Sequence, residues 1–317
     1  MFIVENKKSI FKIKELPILL VLIVGCVIVS LLTPYFLTPN NIFNVLRQIS
    51  VYAILAIGEA LIIITGEIDL SIGYMMGLCG VLTALMAKAG VPAVLIVIAV
   101  VAFGAALASI SGFLVTKFGI NSFIATLGMQ NICRGVSLLL TGGISIMVKS
   151  PVAALGSGYL GPMPISSIIM LVAIVAFTLF VTYTQLGRNI FAVGSNVVAA
   201  NFSGVNSSRV KIAVFAISGM LVGLGGIISY GTLKAADPTA GAGYELDAIA
   251  AVVIGGTSMA GGEGTIIGVL IGAAIMGVLK NAFVLLKISA YWQVVVLGFV
   301  IIAAVFMDSL KRLRAEK

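Results

Sequence analysis

Acidic residues beside apolar runs are the side chains of this sequence most able to do chemistry. Glu59 lies within an apolar run, and Glu67, Asp69, Glu245 and Asp247 lie at or near the ends of others. A carboxylate at membrane depth is energetically costly, so residues of this kind are candidates for function. We therefore treat these five as candidates for a translocation path.

Two of these carboxylates also have a structural interpretation, and one arginine has several. Asp69 and Asp247 can each cap the next helix, with Ser71 or backbone amides as partners. Arg134, between Cys133 and a glycine, can pair with a carboxylate, line a polar path or snorkel outward. The sequence leaves these alternatives open.

Enzymatic and metal chemistry are disfavoured by the residues that are missing. The chain has no histidine, which is the commonest general base and metal ligand. Cys26, Cys79 and Cys133 lie inside apolar runs, at spacings that fit neither a disulfide framework nor a metal knuckle. The glycine-rich stretch from Gly255 to Thr265 lacks the Gly-Lys-Ser/Thr ending of a nucleotide loop. We expect no catalytic residue, no metal and no cofactor bound by this chain, and a turn between helices at the glycine-rich stretch.

The composition indicates a membrane protein. Of the 317 residues 61% are hydrophobic and 9% are charged, and the mean hydropathy is +1.22. A helix needs about 20 apolar residues to cross the hydrocarbon core. We predict an all-α polytopic membrane protein of about ten transmembrane helices, near residues 16–36, 42–65, 71–87, 92–116, 122–140, 165–184, 212–233, 246–258, 264–284 and 291–307.

The basic residues set the orientation of these helices. With both termini in the cytoplasm, the side assigned as inside receives Lys7, Lys8, Lys12, Lys14, Lys117, Arg188, Arg209, Lys211, Lys311, Arg312, Arg314 and Lys317. The remaining positions hold Arg47, Lys88, Arg134, Lys149, Lys234, Lys280 and Lys287. The bias follows the positive-inside rule, so we read the excess of 19 basic over 11 acidic residues as orientation and not as a nucleic-acid surface. The lysines before the first span could belong to a signal peptide, but no small-residue cleavage site follows, and we expect a retained helix.

Two stretches of the chain repeat each other loosely. Residues 112–128 and 281–298 share apolar residues, a lysine, an aromatic residue and a Leu-Gly pair in the same order. Residues 67–71 pair with 245–249 at nearly the same offset. In the predicted topology the two halves cross the membrane in opposite senses, which is an inverted repeat of the kind that lets transporters alternate access. Chance similarity between apolar helices is the alternative.

The longest predicted cytoplasmic link contains helix signals of its own. Ser195 or Asn196 can cap the start of a short helix over Val197 to Phe202, and Gly204 can close it in the left-handed conformation. A short amphipathic helix at the membrane surface is a feature that another protein can bind. A plain connector is the alternative.

Three long motifs, taken in order, resemble signatures of the ribose-type permeases of ATP-binding-cassette importers. The first covers residues 65–73 and includes Asp69 and Ser71. The second resembles the coupling loop of that family, with Gly187, Arg188, Ala192, Gly194, Asn196, Ala199, Ala200, Ser203 and Gly204. The third covers residues 238–262. The similarity extends over essentially the whole chain, and Glu67 departs from it because a small residue is expected there.

The resemblance implies a function, partners and a domain organisation. It implies a permease for a simple sugar, ribose or a related monosaccharide, in the bacterial inner membrane. It also implies cytoplasmic ATPase subunits that use the ATP, an extracytoplasmic sugar-binding protein and a second permease copy. Another pentose or hexose, a polyol, a furanosyl signalling molecule or a nucleoside are substrates that the sequence leaves open. The loop around Pro238, Thr239, Gly241 and Tyr244 would meet the binding protein. The chain would form one permease domain over residues 1–317, with tails at 1–15 and 308–317, repeat halves at 42–140 and 212–307 and the coupling loop at 185–211.

An ion-coupled secondary transporter is the main rival, because inverted repeats and intramembrane carboxylates such as Glu59 also suit it. A carrier of that kind needs no docking helix for an ATPase. An intramembrane enzyme is disfavoured because no catalytic constellation is present.

Overall fold

Residues 15–315 of the chain are described by a computed structural model, and nearly all of its regular structure is helical. The helices are α1 (Leu16–Leu32), α2 (Pro39–Ile64), α3 (Ile72–Lys88), α4 (Ala93–Phe118), α5 (Ser122–Thr141), α6 (Ala154–Ser157), α7 (Ile165–Tyr183), α8 (Gln185–Ser195), α9 (Val197–Phe202), α10 (Ser207–Leu233), α11 (Tyr244–Ile254), α12 (Ile266–Leu285) and α13 (Ala290–Ala315). A 3-10 turn, Pro151–Ala153, and a two-stranded antiparallel hairpin, β1 (Tyr159–Leu160) and β2 (Met163–Pro164), lie between α5 and α7. The predicted all-α fold is confirmed.

Helices α2 and α10 form the centre of the bundle. From Ser50 to Ile64 every residue of α2 is buried, because this stretch is apolar on nearly all sides and the surrounding helices cover it. Helix α2 contacts α7, α10, α11 and α12, and α10 contacts α2, α3 and α4. Lys211 in the first turns of α10 pairs with Glu67 just after α2, so the two helices run antiparallel.

Small residues allow α4 and α10 to approach closely. A Cβ built at Gly104 would overlap the carbonyl oxygen of Gly219, and a Cβ at Gly219 would overlap that of Gly104. Gly223 lies against the backbone of Val100 in the same way. Without a hydrophobic driving force in lipid, helices pair through such close packing, and these glycines make it possible.

The predicted spans correspond to helices of different lengths. Among residues 15–315, seven helices are long and apolar enough to cross a membrane, namely α2, α4, α5, α7, α10, α12 and the part of α13 up to Met307. Helices α1 and α3 have 17 residues each, and α11 has 11. Ten helices therefore stand at the ten predicted positions, and seven of them have the length of a full span.

The segment predicted at 246–258 differs most from its prediction. Its helix α11 starts at Tyr244 and ends at Ile254, where Gly255 and Gly256 follow with Gly256 at φ +88°. Residues 238–243, which precede α11, form consecutive turns. The segment is short because glycines interrupt it at both ends, with Gly243 at φ +84° before its first residue.

Most of the predicted N-terminal tail lies outside the described residues, whereas most of the predicted C-terminal tail lies within them. Residues 1–14, with Lys7, Lys8, Lys12 and Lys14, and residues 316–317 lie outside them. In the described part of the tail predicted at 308–317, α13 continues to Ala315, and the cytoplasmic location of that tail stays a prediction. The apolar portion of that helix does end at Met307, which is where the sequence changes from apolar to charged residues.

Candidate functional site

The predicted coupling segment consists of two helices. Helix α9 covers Val197–Phe202, Asn196 caps it by accepting a hydrogen bond from the N–H of Ala199 (2.9 Å), and Gly204 has φ +85°. These features confirm the short helix predicted from the sequence. Helix α8 was missed, although Thr184 caps it by accepting from the N–H of Gly187 (3.0 Å) and its amphipathic pattern is a signal that could have revealed it.

The residues of this segment divide between an exposed and a covered face. Those that are exposed are Arg188, Ala192, Asn196, Ala199, Ser203 and Gly204, while Gly187, Gly194 and Ala200 are covered at least in part. Phe202 is 89% exposed and Val198 is 63% exposed. The exposed face of α9 therefore presents apolar side chains from a short, well-capped helix.

Gly194 joins the coupling segment to the centre of the bundle. A Cβ at Gly194 would overlap the carbonyl oxygen of Ile64, the last residue of α2. The same oxygen accepts a hydrogen bond from the N–H of Gly262 (2.9 Å). Helix α8, the end of α2 and the glycine-rich turn before α12 thus meet backbone to backbone, and we call this contact the glycine junction.

An ion pair lies at the same end of the molecule as the glycine junction. Lys211 Nζ donates to Glu67 Oε1, and both side chains are largely buried. Glu67 is the residue that departs from the family pattern. The Lys211–Glu67 ion pair connects the loop after α2 to the first turns of α10.

Asp69 lies in a network that satisfies backbone groups of the loop between α2 and α3. Asp69 Oδ1 accepts from the N–H (2.8 Å) and the hydroxyl (2.5 Å) of Ser71, and the N–H of Asp69 donates to Glu59 Oε1 (3.1 Å). Both carboxylates are fully buried. Asp69 thus binds Ser71, the partner that the capping interpretation named, but α3 has no side-chain cap hydrogen bond, and capping by Asp69 stays a prediction.

Glu245 lies at the contact between α3, α5 and the start of α11. Its Oε1 accepts from Gln130 Nε2 (3.1 Å), and its Oε2 is buried without a hydrogen-bond partner among the described residues. A Cβ at Gly73 would overlap that Oε2. The motif over residues 65–73 therefore touches the motif over residues 238–262 at this point.

Asp247 belongs to a second cluster, which contains a residue that the sequence reasoning used only for topology. Lys280 Nζ, on α12, donates to Asp247 Oδ2 and to the hydroxyl of Tyr52 (3.2 Å). The Tyr52 and Tyr244 rings stack with centroids 4.9 Å apart, and Lys280 Nζ lies 4.6 Å from the Tyr52 centroid. A lysine inside an apolar run was the signal for this cluster, since such a residue requires a partner.

The loop predicted to meet a binding protein is partly buried. Pro238 and Gly241 are buried, Tyr244 is half-buried and Thr239 is exposed. Gly241 packs against the backbone of Gly73. The backbone N–H (2.7 Å) and the hydroxyl (2.8 Å) of Thr239 both donate to the carboxylate of Asp237. These hydrogen bonds fix the turn at this exposed corner, and they lower the pKa of Asp237.

Comparisons with known proteins agree over nearly the whole chain. Residues 41–305 match the family described as branched-chain amino acid transport system / permease component. The ribose import permease protein of Escherichia coli K12 is 43% identical over 312 residues, which covers 97% of this chain and 96% of the relative. The corresponding protein of Bacillus subtilis is 41% identical, covering 90% of this chain and 89% of the relative. The D-allose transport system permease protein of Escherichia coli K12 is 40% identical, with 89% and 87% covered. No solved structure matches at a significant level.

Replacement of Asp69 tests whether its charge or its hydrogen bonds matter. We expect Asp69→Asn to be tolerated better than Asp69→Leu, because the amide oxygen of asparagine can still accept from Ser71 whereas leucine leaves buried donors unpaired, at about 1–3 kcal/mol. Thermal unfolding of the purified variants in detergent measures the difference. Equal losses in both variants would show instead that the negative charge is required.

The Lys280–Asp247 pair is expected to show strong coupling in a double-mutant cycle. Lys280→Met and Asp247→Asn each leave one charge of a largely buried pair uncompensated, and we expect each to cost about 3 kcal/mol of unfolding free energy. The double variant should lose clearly less than the sum of the two. Unfolding of the four proteins in detergent measures this, and strictly additive losses would show that the two side chains do not stabilise each other.

Proposed function

This chain belongs to the permease family whose model spans residues 41–305, and from that premise we infer that it is the membrane subunit of an ATP-binding-cassette importer for a monosaccharide. The observation that carries the inference is the identity of 40% or more, over most of the chain, with permeases named for ribose import and for D-allose transport. Among these sugars we propose ribose as the substrate, because a ribose import permease has the higher identity, 43% against 40% for the D-allose permease.

We propose that α8 and α9 dock on the cytoplasmic ATPase. Support comes from the exposed apolar face of α9 and from the glycine junction behind it, which gives a docked partner a direct contact with α2. ATP is used by that partner, and this chain carries no catalytic residue and no cofactor in our proposal. Closure of the ATPase pair would then move α8 and, through the Ile64 carbonyl, the end of α2.

An inverted repeat is supported by the pattern of helix contacts. If α2–α5 correspond to α10–α13, then α2 pairs with α12 as α10 pairs with α4, and α3 pairs with α5 as α11 pairs with α13. The antiparallel course of α2 and α10 gives the two halves opposite senses. Two halves of this kind can rock about the midplane and so alternate access to the two sides.

We propose ten crossings with both termini in the cytoplasm, in one permease domain over residues 1–317. Helix α11 and the turns before it would make one crossing together. Just before the turns, Ala236 pairs with Ile146 in the connection after α5. Just after α11, at the other end of the segment, Gly255 packs on Gly268 of α12. Non-helical backbone at membrane depth is tolerated where other parts of the protein bury it. Here Gly73 and Gly77 of α3 pack against the backbone of the turns before α11. The resulting protein is a multi-pass protein of the inner membrane.

The extracytoplasmic partners belong to the same proposal. A sugar-binding protein would contact the exposed corner at Thr239, whose neighbours Pro238 and Gly241 are buried. Tyr244, just after this corner, stacks on the Tyr52 ring. A second permease copy would cover the helix faces that this chain leaves open to the surroundings. Selectivity would then rest mostly with the binding protein.

Reconstitution tests the proposed function directly. We expect labelled D-ribose to enter proteoliposomes only when this chain is combined with its ATPase, its binding protein and ATP. Omission of any one component serves as the control. Uptake by this chain alone, driven by an ion gradient, would establish a secondary transporter and overturn the importer.

Gly204 offers a separate test of the docking segment. We expect Gly204→Val to impair assembly with the ATPase, because a β-branched residue is strained at φ +85° and its side chain would protrude from the docking face. Co-purification of the ATPase in detergent measures assembly, and Gly128→Val, at an exposed helical glycine with open space around it, is the control. Normal assembly and uptake by Gly204→Val would count against docking at this segment.

A further inference from the structure

Helix α5 has polar residues in its middle but little cover from the rest of the chain. In the most apolar 18-residue stretch of α5, 22% of the residues are buried, against 89% in the corresponding stretch of α2. Gln130, Asn131 and Arg134 lie near the middle of this helix, and Asn131 and Arg134 are exposed. An arginine at the centre of a spanning helix costs about 3 kcal/mol on insertion scales, so this surface is poorly suited to lipid.

The polar residues occupy one flank of α5. The buried residues Thr126, Met129 and Cys133 mark the side that packs on the bundle. Gln130 and Arg134 are four residues apart and therefore lie on one face. Ile132 is also exposed, but at 3.6 residues per turn it points about 160° away from Arg134. The helix thus has a polar flank and an apolar flank at the same depth.

Arg134 does not extend toward the nearer end of its helix. Its guanidinium carbon lies 5.5 Å from the ring centroid of Tyr74. Tyr74 is in the first turn of α3, about 20 Å along that helix from Lys88. The guanidinium is therefore held beside the first turn of α3 by a cation–π contact, and among the described residues it forms no ion pair.

A buried carboxylate fixes the position of the same flank. Glu245 is 7% exposed, and one of its carboxylate oxygens accepts from Gln130, one helical turn from Arg134. The other oxygen packs against Gly73 of α3. Glu245 therefore lies in the contact between α3, α5 and α11, and it holds Gln130 beside Arg134.

We propose that this flank of α5 lines the sugar passage, with Arg134 donating to hydroxyl groups of the passing sugar. The inference rests on the proposed function and adds a residue that contacts the substrate. A sugar hydroxyl oxygen accepts hydrogen bonds, so a guanidinium on this wall can engage it. The exposed position of Arg134 keeps these contacts few, which suits release of the sugar on the far side.

Transport by the complete complex measures the role of Arg134. We expect Arg134→Met to lower uptake of labelled D-ribose about tenfold, the loss of one charge-assisted hydrogen bond, while ATP hydrolysis stimulated by the binding protein stays close to that of the unmodified complex. Equal losses of uptake and hydrolysis would mark a structural role, and unchanged uptake would exclude a role in the passage; both results overturn the inference.

A cysteine measurement on the folded complex does not depend on how well the variants fold. In a Cys26→Ala background, where Cys79 and Cys133 are buried, we expect Arg134→Cys to react with a charged, water-soluble thiol reagent and Ile132→Cys to remain unreactive. Equal reactivity at both positions, or an unreactive Arg134→Cys in a complex that still transports, would show that the polar flank does not face a water-filled passage.

The same experiments separate this inference from the proposed function. If the unmodified complex fails to import ribose, the proposed substrate is wrong whatever Arg134 does. If the unmodified complex imports ribose and Arg134→Met imports it equally well, only the assignment of the passage wall fails.

Discussion

Every backbone N–H and C=O at membrane depth must find a partner inside the protein, and this constraint governs the structure more than any other. Helices satisfy it for most of the chain. The loop between α2 and α3 satisfies it with side chains, since Ile68 N–H donates to Ser122 Oγ (3.3 Å) and Leu70 N–H to Thr126 Oγ1 (3.1 Å). Glu59 serves the same purpose for Asp69, so a carboxylate first singled out as a candidate for chemistry also has a definite structural task.

The sequence was sufficient for features that depend on local patterns. Apolar length located the helices, and Asn196 with Gly204 located α9, because a cap and a left-handed glycine act within a few residues. The contact between Gly73 and Glu245 was beyond such reasoning, since it joins segments far apart in the chain. The same is true of the Lys280–Asp247 pair, whose two residues lie on different helices.

Helix α2 connects the features that the proposed function requires. It carries Tyr52 in the Lys280 cluster, Glu59 beside the loop of Asp69 and Ile64 at the glycine junction. One buried helix therefore contacts the Lys280 cluster, the loop of Asp69 and the glycine junction, which lie at different points along its length. An importer that binds its substrate only weakly in the membrane fits this arrangement, because it needs coordinated movement of several contacts more than one tight site.

The glycine junction gives α2 the mechanics of a lever. Backbone pressed on backbone leaves no flexible side chain between α8 and Ile64 to absorb a displacement, so a push on α8 passes to α2 as a rigid movement. A helix of 26 residues is about 39 Å long, and a tilt of about 5° around one end shifts the other by about 3 Å. A shift of that size is comparable to the length of a hydrogen bond. It would be enough to break or remake the hydrogen bonds of Asn41 with Asn281 and of Arg47 with the Tyr159 hydroxyl, which lie toward the far end of the helix.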